Sequence, residues 1–180
     1  VAGLDTQFHD GYFVVAHFHY VFIGGIIFAL FSGIYYWFPK VTGRKMNETL
    51  GLWHFIIGFS SYNAAFWPMH AVGIMGMPRR THTYAMDSGF AELNMAISTF
   101  AIIFGISQLL LVWNIVRSVK KGEKVGKDPW GGWSLEWAVT SPPPTPSFAV
   151  EPVQYDANDP DDYHETKLES ILKAPFRTMN

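Results

Sequence analysis

Cysteine is absent from the 180 residues. Disulfides and thiolate metal sites are thereby excluded, and any metal held by this chain must take imidazole, carboxylate or exogenous ligands. Charge is scarce as well: Asp, Glu, Lys and Arg make up 16% of the chain, against 49% hydrophobic and 17% aromatic residues. None of the four charged types occurs in the windows 11–39, 49–78 and 93–116. Each window exceeds the roughly 20 residues that a helix needs to cross a bilayer core of about 30 Å. The formal net charge of -2 and the want of a basic, aromatic-interleaved patch argue for no nucleic acid as a partner. No nucleotide-binding glycine motif and no internal repeat is found. The N-terminus has no basic stretch ahead of an apolar run, so it is not expected to be a signal peptide, and it reads as the middle of something larger.

What is present points to an all-α fold, a membrane helix bundle. In lipid every backbone polar group must pair within its own segment or within a closed barrel, and the strict alternation that barrel strands require is missing. The expected organisation is an outer-face segment at 1–10, transmembrane helices at 11–39, 49–78 and 93–116, an outer-face loop at 79–92 and an extended Pro-rich tail over 117–180. An aromatic belt, Tyr35-Tyr36-Trp37-Phe38, followed by the breaker Pro39, marks the end of the first span. Lys40, Arg44 and Lys45 follow the first span, and Arg117, Lys120, Lys121, Lys124 and Lys127 follow the third. By the positive-inside rule both segments are cytoplasmic, which puts the N-terminus and the 79–92 loop outside. Within the tail, Ser141-Pro142-Pro143-Pro144-Thr145-Pro146 suggests polyproline structure. Asp156, Asp159, Asp161 and Asp162 form an acidic patch, and Leu168, Ile171 and Leu172 lie at the spacing of a short helix.

The stretch with chemistry in it is Ala16-His17-Phe18-His19-Tyr20. Two imidazoles inside an apolar span are costly unless something pairs with them. On a helix, residues two apart differ by roughly 200°, so His17 and His19 leave on opposite faces and one metal cannot take both. Two readings stand: one helix between two separate metal centres, or two histidines bonded to neighbouring helices. Asp5, His9 and Asp10 crowd the outer end of the same span, His9 about two turns, roughly 12 Å, from His17. A hard divalent cation such as Mg²⁺ suits that donor set; a polar helix start complementing the macrodipole is the alternative. Arg79 and Arg80, adjacent on the outer face against the positive-inside rule, imply an anionic ligand, either lipid phosphate or the propionates of haem. His54 and His70 in the second span read as packing histidines.

Residues His9-Asp10-Gly11-Tyr12-Phe13-Val14-Val15-Ala16-His17-Phe18-His19-Tyr20 resemble the tenth transmembrane helix of subunit I of the haem-copper oxygen reductases. Gly76-Met77-Pro78-Arg79-Arg80 resembles that family's arginine pair. Asp128-Pro129-Trp130, Leu135-Glu136-Trp137 and Ser141-Pro142-Pro143-Pro144 resemble its tail, so the likeness runs through most of the chain up to Phe148. Where the family usually has Thr after the His-Asp pair, this chain has Gly11.

The resemblance implies the C-terminal part of a larger twelve-helix bundle, either naturally separate or an incomplete portion of subunit I. It implies His17 as catalytic-site axial ligand of a high-spin haem, His19 as axial ligand of a low-spin haem, and Phe18 between the two haems. His9 and Asp10 would hold Mg, and Asp5, Arg79 and Arg80 would meet haem propionates. The cofactors implied are two haems, haem a-like, and copper whose ligands lie outside this chain. The implied partners are the N-terminal portion of subunit I, subunits II and III, O2, and cytochrome c or quinol as electron donor. The activity is reduction of O2 to water with proton translocation, in a bacterial or archaeal plasma membrane or the mitochondrial inner membrane. The competing expectations are a related nitric oxide reductase and, in another class, an accessory or transport subunit whose histidines are structural.

Overall fold

The computed structural model of the chain describes residues 2–85, 87–132 and 134–148. The acidic patch and the late helix expected beyond residue 155 lie outside the described residues. Helices dominate: α1 (Ala2–Phe8), α2 (Tyr12–Thr42), α3 (Glu48–Ile74), α4 (Ala91–Lys121) and the single turn α5 (Leu135–Ala138). Among the described residues no strand occurs, only the isolated bridges Gly11 to Pro78 and Arg44 to Lys124.

Two compact units are formed, the described residues of Val1–Tyr36 with Met46–Gly122, and those of Trp37–Lys45 with Glu123–Asn180. In the first, α3 packs against both α2 and α4. Its core joins Ala16 of α2, Tyr62, Ala65, Phe66, Met69 and Val72 of α3, Met77 beyond it and Ile97 of α4. The N-terminus of α3 is capped by Asn47, whose Oδ1 accepts from the Leu50 amide at 2.9 Å. Asn114 of α4, fully buried, holds that cap in place. Its Oδ1 accepts from the Asn47 amide at 3.0 Å and its Nδ2 donates to the Asn47 carbonyl at 2.9 Å. At the other end, Gly76 takes φ +93°, the Met77 amide donates to the Val72 carbonyl at 3.2 Å and the Gly76 amide to Gly73 at 3.0 Å. These are the two bonds of a Schellman stop, which needs a residue free to adopt the left-handed region.

Helices α2 and α4 are long and apolar enough to cross a membrane. Helix α3 has the length, 27 residues, but carries His54, Ser60, Ser61, Tyr62, Asn63 and His70. A helix wedged between two others can bury such groups against protein, as His54 does. It is 4% exposed, with Nδ1 3.2 Å from the Tyr35 hydroxyl and Nε2 3.2 Å from Gln108 Oε1.

Pro39 does not end the first helix. It lacks an amide proton but its ring is buried, and the helix continues to Thr42. It stops instead at Gly43, φ +68°, whose amide donates to the Pro39 carbonyl at 2.8 Å. Helix α2 also changes register, running as a π-helix from Tyr20 to Ile27 through Gly24 and Gly25. Such turns are uncommon and recur beside functional side chains.

The second unit is smaller. Residues 123–125 return to pair with 43–45, the Lys45 amide donating to the Glu123 carbonyl at 2.9 Å and the Val125 amide to Gly43 at 3.0 Å. Trp137, 1% exposed, is its core. The segment expected to run out as an extended tail from residue 117 is thus helical to Lys121 and then folded back through residue 140.

The tightest crossing is between α2 and α3. A Cβ built on Gly73 would stand 2.1 Å from the backbone nitrogen of Phe13 and 2.7 Å from its Cα. Gly73→Ala is therefore expected to push α2 off α3 and to destabilise the bundle by about 1–3 kcal/mol or more. Thermal unfolding in detergent tests this, with Gly105→Ala as control because nothing lies within 4 Å of a Cβ there.

Candidate functional site

The site is assembled where the N-terminal end of α2 meets the C-terminal end of α3. Gly11 precedes α2 in an extended conformation, φ -104° and ψ 174°, and Asp10 before it takes φ 57°. This kink turns the chain so that residues 10–12 run beside 77–79. The Tyr12 amide donates to the Met77 carbonyl and the Arg79 amide to the Asp10 carbonyl, each at 3.0 Å. The side chains close the same contact, with Arg79 Nε donating to Asp10 Oδ1. Sixty-nine positions apart in sequence, the two residues share one edge, a pairing that residue spacing does not reveal. Arg80 is exposed at φ 62°. His9 and Asp5, one turn apart and both exposed, form a looser pair with Nδ1 and Oδ2 at 3.5 Å.

His17 and His19 both belong to the α-helical first part of α2, Tyr12–His19, before the π-helical register begins. The roughly 200° separation of regular helix therefore applies to them. His19 is half-buried. Its Nδ1 lies 2.8 Å from the Val15 carbonyl. A carbonyl can only accept, so Nδ1 carries a proton, which in the neutral ring leaves the lone pair on Nε2. The ring stacks on Phe18 and on Phe66 of α3, centroids 4.4 Å apart in each case. Stacking covers the face of an imidazole and not its edge, where Nε2 lies. His17 is exposed and has no hydrogen-bond or ring partner among the described residues. One turn on, Tyr20 donates to Asn63 Oδ1 at 2.8 Å and pins the helix to α3.

No group of three or more His, Asp or Glu able to enclose a metal ion exists among the described residues. His19 and His70 each keep one ring nitrogen unbonded to protein. Asp5 and His9 are brought together, as are Asp10 and Arg79, while neither pair contacts His17 or His19. His54 and His70 are both engaged, His70 through Nδ1 3.1 Å from the Trp67 carbonyl. The Val15 carbonyl and Asn63 are partners that the sequence reading missed. The i,i+4 spacing of Val15 and His19 could have signalled the first, and nothing local signals the second.

Two helices long and apolar enough to cross a membrane, packed with a third that carries polar groups, define a helical protein of membrane type. A family model described as Cytochrome C and Quinol oxidase polypeptide I matches residues 1–110, and the chain belongs to that family. It is 47% identical over 156 residues to cytochrome c oxidase subunit 1 of Bacillus sp. (strain PS3), covering 84% of this chain and 25% of that protein. It is 49% identical over 149 residues to cytochrome c oxidase subunit 1 of Synechocystis sp., covering 83% and 27%. With cytochrome c oxidase subunit 1 of Alkalihalophilus pseudofirmus it is 42% identical over 176 residues, covering 96% and 28%. The chain spans about a quarter of the length of these curated relatives.

The Arg79 guanidinium, first by its hydrogen bond and then by its charge, holds the Asp10 carboxyl below its ordinary value of 3.8, and Arg80 and His9 add smaller contributions of the same sign. Because the folded value is the depressed one, the pair is complete above 3.8 and is lost only as pH falls through the lower folded value. The carboxylate infrared band of Asp10, identified by its loss in Asp10→Asn, should persist unchanged from neutral pH down past 3.8. In Arg79→Gln it should protonate at higher pH.

Proposed function

We propose that this chain is the C-terminal part of the catalytic subunit of a respiratory terminal oxidase, which reduces O2 to water at a haem-copper centre with coupled proton translocation. The observation that carries the reading is the helical turn His17-Phe18-His19 in a chain of this family, with Nε2 of His19 kept free by the Val15 bond. When bound, the haems and copper supply the electron transfer and the oxygen chemistry. This chain holds and orients. His19 would hold the low-spin haem iron through Nε2, and the Val15 carbonyl, by fixing the tautomer, would raise the basicity of that nitrogen. His17, on the other face, is the axial ligand of the high-spin haem, and Phe18 separates the two. Copper ligands belong to the remainder of the subunit.

At the outer edge, Asp5, Arg79 and Arg80 meet haem propionates, and His9 with Asp10 holds Mg²⁺. The contact between Arg79 and Asp10 joins Nε to Oδ1. The terminal guanidinium nitrogens and Oδ2 are left for a propionate and a cation, so one ion pair can serve both. The chain crosses the membrane three times, α3 included, with the N-terminus outside and residues beyond α4 cytoplasmic. The partners are the N-terminal portion of subunit I, subunits II and III, and cytochrome c or quinol as donor. The polar residues of α3 support its place inside the bundle. The exposed apolar side chains Val21, Phe22 and Ile26 on α2 support further helices or lipid against that face.

The test is the visible absorption spectrum of the purified assembly. His19→Ala should remove the low-spin haem bands while protein is retained, and an unchanged spectrum overturns the assignment. Turnover with O2 exceeding turnover with NO is expected, and the reverse would favour a nitric oxide reductase.

A further inference from the structure

Lys40 lies where a lysine near the end of an apolar helix ordinarily snorkels, its methylenes along apolar surface and its ammonium in water. Instead the residue is 7% exposed. Its Nζ donates to the Val139 carbonyl at 2.9 Å, to Lys127 at 3.1 Å and to Thr140 at 3.4 Å. An ammonium has three protons, and each finds a backbone acceptor. The indole of Trp137 lies against the same atom with its centroid 4.9 Å away. Asp128 and Glu136 contribute negative charge to the surroundings.

Both ends of the segment 127–140 are therefore tied to one charged atom. Among the described residues between them the one regular element is the single turn of α5, too short to hold itself together. Ser141 Oγ donates to the Lys127 carbonyl at 3.1 Å, so the ends also meet each other. Gly43 leaves room for this closure, since a Cβ there would stand 2.8 Å from the Ser141 carbonyl oxygen. Lys45 over Trp130, centroid 5.1 Å, is a rim contact, the indole being 40% exposed.

We propose that the described residues of 127–140 (127–132 and 134–140) are a strap closed onto the last turn of α2 by the Lys40 ammonium, a tethered cation in a cage of carbonyls, and that the strap opens as one piece when that charge is removed. Without the ammonium, the buried Val139 carbonyl and the Thr140 carbonyl lose this donor, and Lys127 is left with Ser141 alone, so the tie between the two ends of the segment and α2 is lost at one stroke. The inference does not depend on the redox reading of the histidines.

Backbone hydrogen-deuterium exchange on the complete purified assembly tests it. In Lys40→Met, amides across 127–140 should exchange roughly tenfold faster or more and as a group, while those of α4 keep their rates. Methylammonium added to Lys40→Ala should restore protection, and Lys45→Met should leave it intact. Unchanged exchange in Lys40→Met, or a rise confined to 137–140, overturns the proposal. If Lys40→Met does not assemble, Trp137→Leu decides. It removes the aromatic side of the cage and keeps the charge, so a smaller rise over the whole segment is expected, and a rise confined to residues beside position 137 overturns the strap.

Discussion

The close crossing of α2 over α3 at Gly73 is the constraint on which the rest depends. A side chain at that position would occupy the space of the Phe13 backbone, so the helices approach more closely there than branched residues allow. That depth of contact brings Phe66 against the ring of His19 and Asn63 within reach of Tyr20. The same helix then stops at Gly76 and hands the Met77 carbonyl to the Tyr12 amide, which aligns Arg79 with Asp10. The imidazole side and the charged edge are thus two consequences of one packing contact.

Polar groups in this bundle are few, and their pairing decides what each can do. Asn114 uses both ends of its amide on the cap of α3, and His54 uses both ring nitrogens on Tyr35 and Gln108. Those side chains organise helices and have no capacity left for a ligand. His19 and His70 each engage one ring nitrogen with a backbone carbonyl and keep the other, in a setting where an unpaired polar atom is expensive.

Much of the architecture was legible from charge alone. Three windows without Asp, Glu, Lys or Arg became the three long helices, because an uncharged apolar stretch of that length has few ways to satisfy its backbone other than by helix. The boundaries were read less well. Pro39 looked like a stop, yet proline gives up one amide bond without forbidding the next turn, and Gly43, which can adopt positive φ, ended the helix. The tail was read as an extension, polyproline-like at 141–146, and the described residues of 123–140 ahead of that stretch fold back on 37–45 around Lys40 and Trp137. Nothing local in the sequence marks Lys40 as different from its basic neighbours.

By itself the sequence determined that His17 and His19 point apart, since two-residue spacing on a helix is a matter of local geometry, and it determined where the long helices run. Tertiary structure alone decided that Arg79 would bind Asp10, that Phe66 would cover the His19 ring and that Lys40 would turn inward. Each of those is a meeting of residues tens of positions apart, set by how closely backbones pack and by which buried polar atoms still lack a partner, and neither quantity is written in the order of the residues.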